Sequence, residues 1–253
     1  MKKNLRCYEE DYQFLEEVYQ GLREEHFQVY FQPIINVETN TLYGAEALLR
    51  WDHPEKGMIA PDVFIPKLES TGLITKIGDW VLFRVIRQLA HWNLAGYTFH
   101  ISINVSLLQL LQEQFYEKLQ HYLTLYQIQA RTFVIELTAT LPYPDLTKLE
   151  VMVKNIKALG VRFALDDFGT GYAAIEKIAY LEPDIVKLDR FFLQKMSDRR
   201  QLKIILETVI RLSNQLKMKT VIEGVETLED YTLIQRLGGD FVQGYYFAEP
   251  LPV

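Results

Sequence analysis

Cysteine is almost missing from this chain, with Cys7 alone in 253 residues. No intramolecular disulfide can form, and a zinc site built from several thiolates is excluded. The histidines, His26, His53, His91, His100 and His121, never fall three or four residues apart. A helical histidine pair on one metal is therefore absent too. No uninterrupted apolar run reaches the ~18 residues of a membrane-spanning helix. Met1-Lys2-Lys3-Asn4-Leu5-Arg6 is followed by Cys7-Tyr8-Glu9-Glu10-Asp11, not by the apolar stretch of an export signal. The cytoplasm is the expected compartment. Basic side chains are outnumbered, 27 against 33 acidic ones, for a net charge of −6. That balance gives no support to a basic groove for a nucleic-acid polymer. A small anionic ligand stays open, because bound metal ions reverse the sign of a site. There is no G-x-G-x-x-G turn, no internal repeat and no Pro/Ser-rich linker.

What is present is ordinary globular composition, 49% hydrophobic and 24% charged. At ~150 residues per domain the length allows one or two domains, but a single α/β barrel commonly runs to ~250 residues. Apolar periodicity predicts a helix over 8–26, then strands over 27–35 and 41–51 joined by a turn at Glu38-Thr39-Asn40. Helices are then expected over 76–94, 107–126, 145–159, 198–217 and 227–237, with a shorter one after Gly171. Strands are expected at 99–105, 132–137, 161–165, 184–188, 219–222 and 241–242. Strands alternating with helices imply a largely parallel sheet. Eight strands fit an α/β fold of the TIM-like (β/α)8 type, with an antiparallel strand at the start.

The polar residues carry the functional signal. Glu46 interrupts the second strand, and Asn104, Glu136, Asp166-Asp167, Lys187, Glu223 and Gln243 each stand at the end of an apolar strand. Singly, each has a plain structural reading. Asp166-Asp167 and Asn104 suit helix N-caps, Glu46 and Lys187 suit a solvent-facing strand, and Gln243-Gly244 suits a turn. Together they converge, because a parallel barrel gathers its strand C-termini at one mouth. Glu46, Asn104, Glu136 and Asp166 are all oxygen donors, matched to a hard cation such as Mg²⁺ or Mn²⁺. Asp167 and Glu223 add two carboxylates, and two adjacent aspartates can bridge a metal pair, as phosphodiester chemistry uses. Lys187 supplies a fixed positive charge. A barrel enzyme of enolase-like chemistry, with Lys187 as base, would also explain the strand-end acids.

Further motifs narrow this. Gln32-Pro33-Ile34, Glu46-Ala47-Leu48-Leu49-Arg50-Trp51, Asn104-Val105-Ser106 and Glu136-Leu137-Thr138 are followed by Asp166-Asp167-Phe168-Gly169-Thr170-Gly171-Tyr172. Val186-Lys187-Leu188-Asp189, Glu223-Gly224-Val225-Glu226-Thr227 and Gln243-Gly244-Tyr245 complete the set. Over about residues 20–251 the chain resembles the EAL family of cyclic di-GMP phosphodiesterases. The resemblance implies a TIM-like barrel over 21–253 behind a helical extension over 1–20, with cyclic di-GMP opened to linear pGpG. It implies one or two Mg²⁺ or Mn²⁺ ions on Glu46, Asn104, Glu136 and Asp166, with Asp167 and Glu223 on the second-metal side. Lys187 matches the residue that holds the attacking water, Glu223 a base, and Gln243 a group orienting the water or the metal shell. Gln32, Leu48 and Arg50 match substrate contacts, with Asp167 beside them, and Arg50 suits a phosphate oxygen. A homodimer and a regulatory protein partner are implied as well.

Two departures stand out. The family's Glu-Leu-Thr-Glu-Ser reads Glu136-Leu137-Thr138-Ala139-Thr140 here, and Ser-Ser after Gly-Tyr has become Ala173-Ala174. Loss of such support around ligands can cost 10–100-fold in metal affinity or activity. They motivate the alternative of a catalytically weak or inactive cyclic di-GMP receptor that signals through a partner. None of the presumed ligands is lost.

Overall fold

The computed structural model describes residues 2–138, 146–169, 174–195 and 199–253. Ala139 and Ala173, and the side chain of Ala174, lie outside what is described.

The chain opens with α1 (Lys2–Arg23), β1 (Phe27–Asn36), β2 (Thr41–His53), β3 (Gly57–Ile59), α2 (Pro61–Ser70) and α3 (Ile74–Leu94). Then come β4 (His100–Asn104), α4 (Leu107–Leu110), α5 (Glu113–Leu125), β5 (Phe133–Thr138), α6 (Leu146–Ala158), β6 (Arg162–Phe168) and α7 (Ala174–Leu181). It closes with β7 (Ile185–Leu188), α8 (Phe191–Gln194), α9 (Arg200–Gln215), β8 (Lys219–Ile222), α10 (Leu228–Leu237), β9 (Phe241–Val242) and β10 (Leu251–Pro252).

The sheet order is β10-β1-β9-β8-β7-β6-β5-β4-β2-β3, and β1 also pairs with β2, which closes the barrel. The staves β2, β4, β5, β6, β7, β8 and β9 run parallel, while β1 is antiparallel to both of its neighbours. The eight staves are therefore the eight strands expected, and β3 and β10 are short additions at the edges. The tight β1–β2 turn forms because the Asn36 side chain accepts the backbone N–H groups of Glu38 (2.9 Å) and Thr39 (3.0 Å). Asn40 takes the left-handed backbone (φ 51°), which asparagine tolerates.

Side chains alternate along each stave, and that period of two builds the barrel interior in layers. One layer is apolar: Ile34, Val134, Ala164, Ile185, Val221 and Phe241 pack together, with Tyr43 against them. Two residues from each lies a polar one: Gln32, Glu136, Asp166, Lys187, Glu223 and Gln243. A bulge shifts the β1–β2 register between Ile34↔Gly44 and Ile35↔Leu42, leaving Tyr43 as the extra residue. Tyr43 then stacks on Phe241 (3.8 Å) and on His100 (4.2 Å) at the end of the barrel opposite the mouth.

The expected elements need four corrections. The helix expected over 107–126 is two pieces, α4 and α5, broken at Leu111-Gln112, where Gln112 is extended (ψ 132°). The close approach of α4 to α3 explains the break: Gln109 is 1% exposed, and a Cβ on Gly78 would collide with its amide. The opening helix spans 2–23, not 8–26. The third correction is α2, which periodicity did not show because Pro61 and Pro66 punctuate it. Pro61 sits at its start, where no N–H is needed, and Phe64 and Leu68 are buried beneath it. The fourth is the one-turn α8. The largest cluster of buried residues joins stave residues to the surrounding helices and includes Phe14 and Val18 of α1, Phe27 of β1, Trp51 of β2 and Phe64 of α2.

Candidate active site at the barrel mouth

Lys187 is the centre of the polar layer. It is 1% exposed, and its Nζ lies 3.0 Å from Glu46 Oε2, 2.7 Å from Glu136 Oε2, 3.4 Å from Asp166 Oδ1 and 2.7 Å from Glu223 Oε1. β2, β5, β6 and β7, with the residue just after β8, thus bring five charged groups together from positions up to 177 residues apart. Asn104 Nδ2 donates to Glu46 Oε1 at 2.7 Å. Gln243 Nε2 donates to Glu46 Oε2 at 2.8 Å and to Gln32 Oε1 at 2.9 Å.

One ammonium cannot compensate four buried carboxylates, and the pKa values record this. Burial pushes the Lys187 ammonium down, but Asp166, Glu136, Glu223 and Glu46 together raise it well above the ordinary lysine value. It is a cation at neutral pH. Burial also acts to raise Glu46, and is outweighed by Lys187 and by the donors Gln243 and Asn104, so Glu46 ends below the ordinary value. Burial and the Glu46 charge hold Glu136 well above it. Asp166 is raised by burial, against the pull of Lys187. Glu223, whose side chain keeps 21% exposure, is raised to about 8, mainly by burial. Burial, then the charges of Asp166 and Asp189, lift Asp167 to about 6.

Asp167 departs from its neighbours. The β6–β7 register slips between Leu165 and Phe168, and Asp167 has a left-handed backbone (φ 54°). Its N–H donates to Asp166 Oδ1 at 2.9 Å. Ligand atoms of Glu46, Glu136 and Asp166 lie within 4.8 Å of one another, and this triad could hold a metal ion. Asp167 and Glu223 are outside that triad.

A cleft of about 420 Å³ opens above the triad and is lined by Gln32, Glu46, Leu48, Arg50, Asp166, Glu223 and Gln243. Arg50 donates to the Leu49 carbonyl at 2.9 Å and lies 5.8 Å from the centre of the Tyr30 ring. The sequence reading missed Asp62 and Arg190 in the cleft wall, and named Asp189, Glu226 and Tyr245 only as motif members. Asp189, Arg190 and Glu226 all lie just past strand ends, a signal that could have found them. Asp62 sits on α2 and had none. A second cavity of about 560 Å³ lies between α1 and α2, over Phe14, Trp51 and Phe64. It is larger but remote from the polar layer. Among the described residues, no helix is long and apolar enough to cross a membrane.

The geometry agrees with what the chain is similar to. The EAL domain family model matches residues 15–250. The bifunctional diguanylate cyclase/cyclic di-GMP phosphodiesterase MucR of Pseudomonas aeruginosa is 31% identical over 96% of this chain and 36% of its own length. The cyclic di-GMP phosphodiesterase NbdA of the same organism is 31% identical over 96% of this chain and 31% of its own. The chain thus spans about a third of the length of these curated relatives. A solved MucR phosphodiesterase in complex with c-di-GMP superposes with a TM-score of 0.90 at 31% identity, covering 95% of this chain and 98% of that one. An EAL domain protein from Listeria monocytogenes superposes with a TM-score of 0.82 at 29% identity, covering 94% and 93%. A closed barrel with one antiparallel stave, an acidic mouth around a buried lysine and this family match together place the chain in the EAL domain family.

Proposed function

We propose that this protein hydrolyses cyclic di-GMP to linear 5'-pGpG with the help of one or two Mg²⁺ or Mn²⁺ ions. The single observation that carries the reading is the set of four carboxylates around Lys187 on a chain of the EAL domain family. The residues fit a hard cation. Every candidate ligand offers oxygen, three of them already converge, and the raised Glu136, Asp166 and Glu223 mark negative charge that Lys187 alone does not balance. Glu46, Asn104, Glu136 and Asp166 would hold one ion, and Asp167 and Glu223 would serve a second. Bound there, such ions polarise a phosphoryl oxygen and make a bound water more acidic.

The chain's own groups divide the remaining work. Lys187, held protonated, fixes the carboxylates and offers a positive charge to the charge that develops on the phosphate. The four carboxylates around Lys187 favour its charged form, which weighs against the enolase-like alternative with Lys187 as base, and binding of cyclic di-GMP would weigh against it further. Glu223 lies in the cleft wall beside Lys187, where it is placed to take a proton from water and return it to the leaving oxygen once an ion or substrate there favours its charged form. Arg50 has the planar fork that suits a phosphate oxygen, and Leu48 gives the cleft wall an apolar surface.

Incubation with cyclic di-GMP and Mn²⁺ or Mg²⁺ should yield pGpG, and chelation should stop it. Absence of pGpG with either ion would sink the reading. Calorimetric binding without turnover would instead favour the receptor alternative, whose motivating residues Ala139 and Ala173 lie outside the described ones. A homodimer and a cytoplasmic site of action belong to the same proposal, and sedimentation velocity tests the first.

A further inference from the structure

We propose that the connection after β7, Asp189 to Phe192, is a wedge that sets the separation of Asp167 from Glu223, with Arg190 and Phe192 as positioning residues. The inference rests on the metal-dependent reading and deepens it, because those two carboxylates are the ones given there to a second ion.

Three neighbouring staves end in one row. Phe168 of β6 pairs with Leu188 of β7, and Leu188 pairs with Ile222 of β8. Asp167 stands just before this row, in the register slip of β6, and Glu223 stands just after it. Beyond the row, each flanking chain has a glycine in the left-handed backbone, Gly169 (φ 99°) and Gly224 (φ 69°). Both glycines lie against the segment that leaves β7. A Cβ on Gly169 would lie 2.4 Å from the Phe192 ring. A Cβ on Gly224 would lie 2.2 Å from Arg190 Cβ and 3.0 Å from Arg190 Cα. Neither gap admits a side chain. The 189–192 segment therefore fills the space between the two chains, with the Phe192 ring against one and the Arg190 backbone against the other.

The wedge is fixed in place. The Phe191 N–H donates to Asp189 Oδ1 at 2.8 Å, and the Phe192 N–H to the Asp189 carbonyl at 3.1 Å. The strand thus passes straight into a tight turn closed by an aspartate side chain. The N–H groups of Gln194 and Lys195 donate back to the carbonyls of Arg190 (3.0 Å) and Phe191 (3.1 Å), which completes α8. Phe192 is 2% exposed and belongs to the buried cluster that includes Phe168, Leu188, Ile222 and Val225. The Glu223 N–H donates to the Leu188 carbonyl at 2.9 Å, so Glu223 is tied to β7 as well. A close-packed ring transmits displacement instead of absorbing it. Removing the ring lets Phe168-Gly169 move toward α8, and the slip that carries Asp167 moves with them. A hard cation of the size of Mg²⁺ tolerates little error in the positions of its ligands.

The test uses the whole chain and measures Mn²⁺ binding without nucleotide, by calorimetry, beside a metal-free thermal melt. The parent should bind two ions. Phe192→Ala should weaken the weaker site fivefold or more and leave the tighter site within twofold. Phe192→Leu serves if the alanine variant fails to fold. Gly169→Ala should weaken the same site. Combined with Phe192→Ala, its methyl group enters the space the ring has left, so the double variant should bind the second ion no worse than Gly169→Ala alone. The backbone strain of Gly169→Ala is common to both backgrounds and cancels in the cycle. With cyclic di-GMP, Phe192→Ala should lower kcat tenfold at limiting Mn²⁺ and recover at saturating Mn²⁺, with KM within twofold of the parent. A merely structural role would lower the melting temperature and leave the Mn²⁺ dependence where it was. Unchanged Mn²⁺ affinity in the Phe192 variant, or fully additive losses in the double variant, would overturn the proposal. A parent that binds two ions but forms no pGpG defeats only the hydrolytic reading. A parent that forms pGpG with a single ion defeats only the wedge, and one that binds no Mn²⁺ defeats both.

Discussion

Lys187 and Glu46 meet at 3.0 Å inside a cluster that water barely reaches, so each depends on the other for its charge. Replacing Lys187 with Met leaves four carboxylates without their counter-charge. We expect kcat to fall by about 10²-fold or more, with a smaller change in KM, because a cation aimed at developing charge acts mainly in the transition state. The metal-free variant should also unfold more easily by about 3 kcal/mol, the scale of breaking a buried pair. Steady-state kinetics and denaturant melts read both, and a KM effect with unchanged kcat would make Lys187 a ground-state phosphate contact. Glu46→Ala should abolish turnover and also the stabilisation that Mn²⁺ confers. For one site at a hundred times its Kd that stabilisation is about 2.7 kcal/mol. Mn²⁺-dependent activity in this variant would show that the ligand assignment is wrong. At this scale the sequence was highly legible, since a polar residue closing each apolar strand needs no structure to be seen. The five-way meeting at Lys187 was not legible, because it joins residues as distant as Glu46 and Glu223.

Among the elements, β2 carries most of the positioning, because Glu46, Leu48 and Arg50 reach the cleft at a spacing of two. Its start is tight. A Cβ on Gly44 would fall within the contact distance of the His100 backbone carbonyl, where β2 pairs with β4. Gly44→Ala should therefore push the two strands apart, at a cost of about 1–3 kcal/mol, the range for overpacking. The shift reaches Glu46, two residues on, so Mn²⁺ affinity should fall with stability. A variant that loses stability but binds Mn²⁺ normally would show that the strain is absorbed elsewhere. Element types followed well from apolar periodicity, but α2 was hidden by Pro61 and Pro66, and the split at Leu111-Gln112 depends on the close approach of α4 to α3 at Gly78.

For the whole molecule, the barrel is closed at one end by chemistry and at the other by aromatic stacking. His100 lies flat on Tyr43, with ring planes 14° apart, and its Nδ1 donates to the Tyr43 carbonyl at 3.3 Å. Burial, then the Arg162 cation, lowers its pKa. Between the folded value and the ordinary ~6.5 of an unfolded chain, the unfolded state binds more protons. Stability therefore rises with pH through that window, and the full penalty is present below the folded pKa. His100→Phe removes the titration. Its melting temperature relative to the parent should improve steadily from pH 7.5 to pH 5, after a small loss at pH 7.5 from the missing hydrogen bond. A constant difference between the two melts across that range would show that His100 titrates normally.

The amino-acid order by itself determined the alternation of strands and helices, the antiparallel start and the polar residues that close the strands, though not Asp62 or Arg190 in the cleft wall. Each of these is a local pattern: a period of two or of 3.6, a turn at Glu38-Thr39-Asn40, a polar residue ending an apolar run. Only the tertiary structure decided what those residues do to one another. Closure of β1 against both β2 and β9 stacks an apolar layer beneath a polar one and shields most of the latter from water. In that shielded layer Lys187 is held charged, Glu223, at the cleft edge, is lifted to about 8, and the Gln32 and Gln243 amides are hydrogen-bonded to one another. Charge and proton affinity follow from distance and burial between residues far apart in the chain, and no local pattern encodes them.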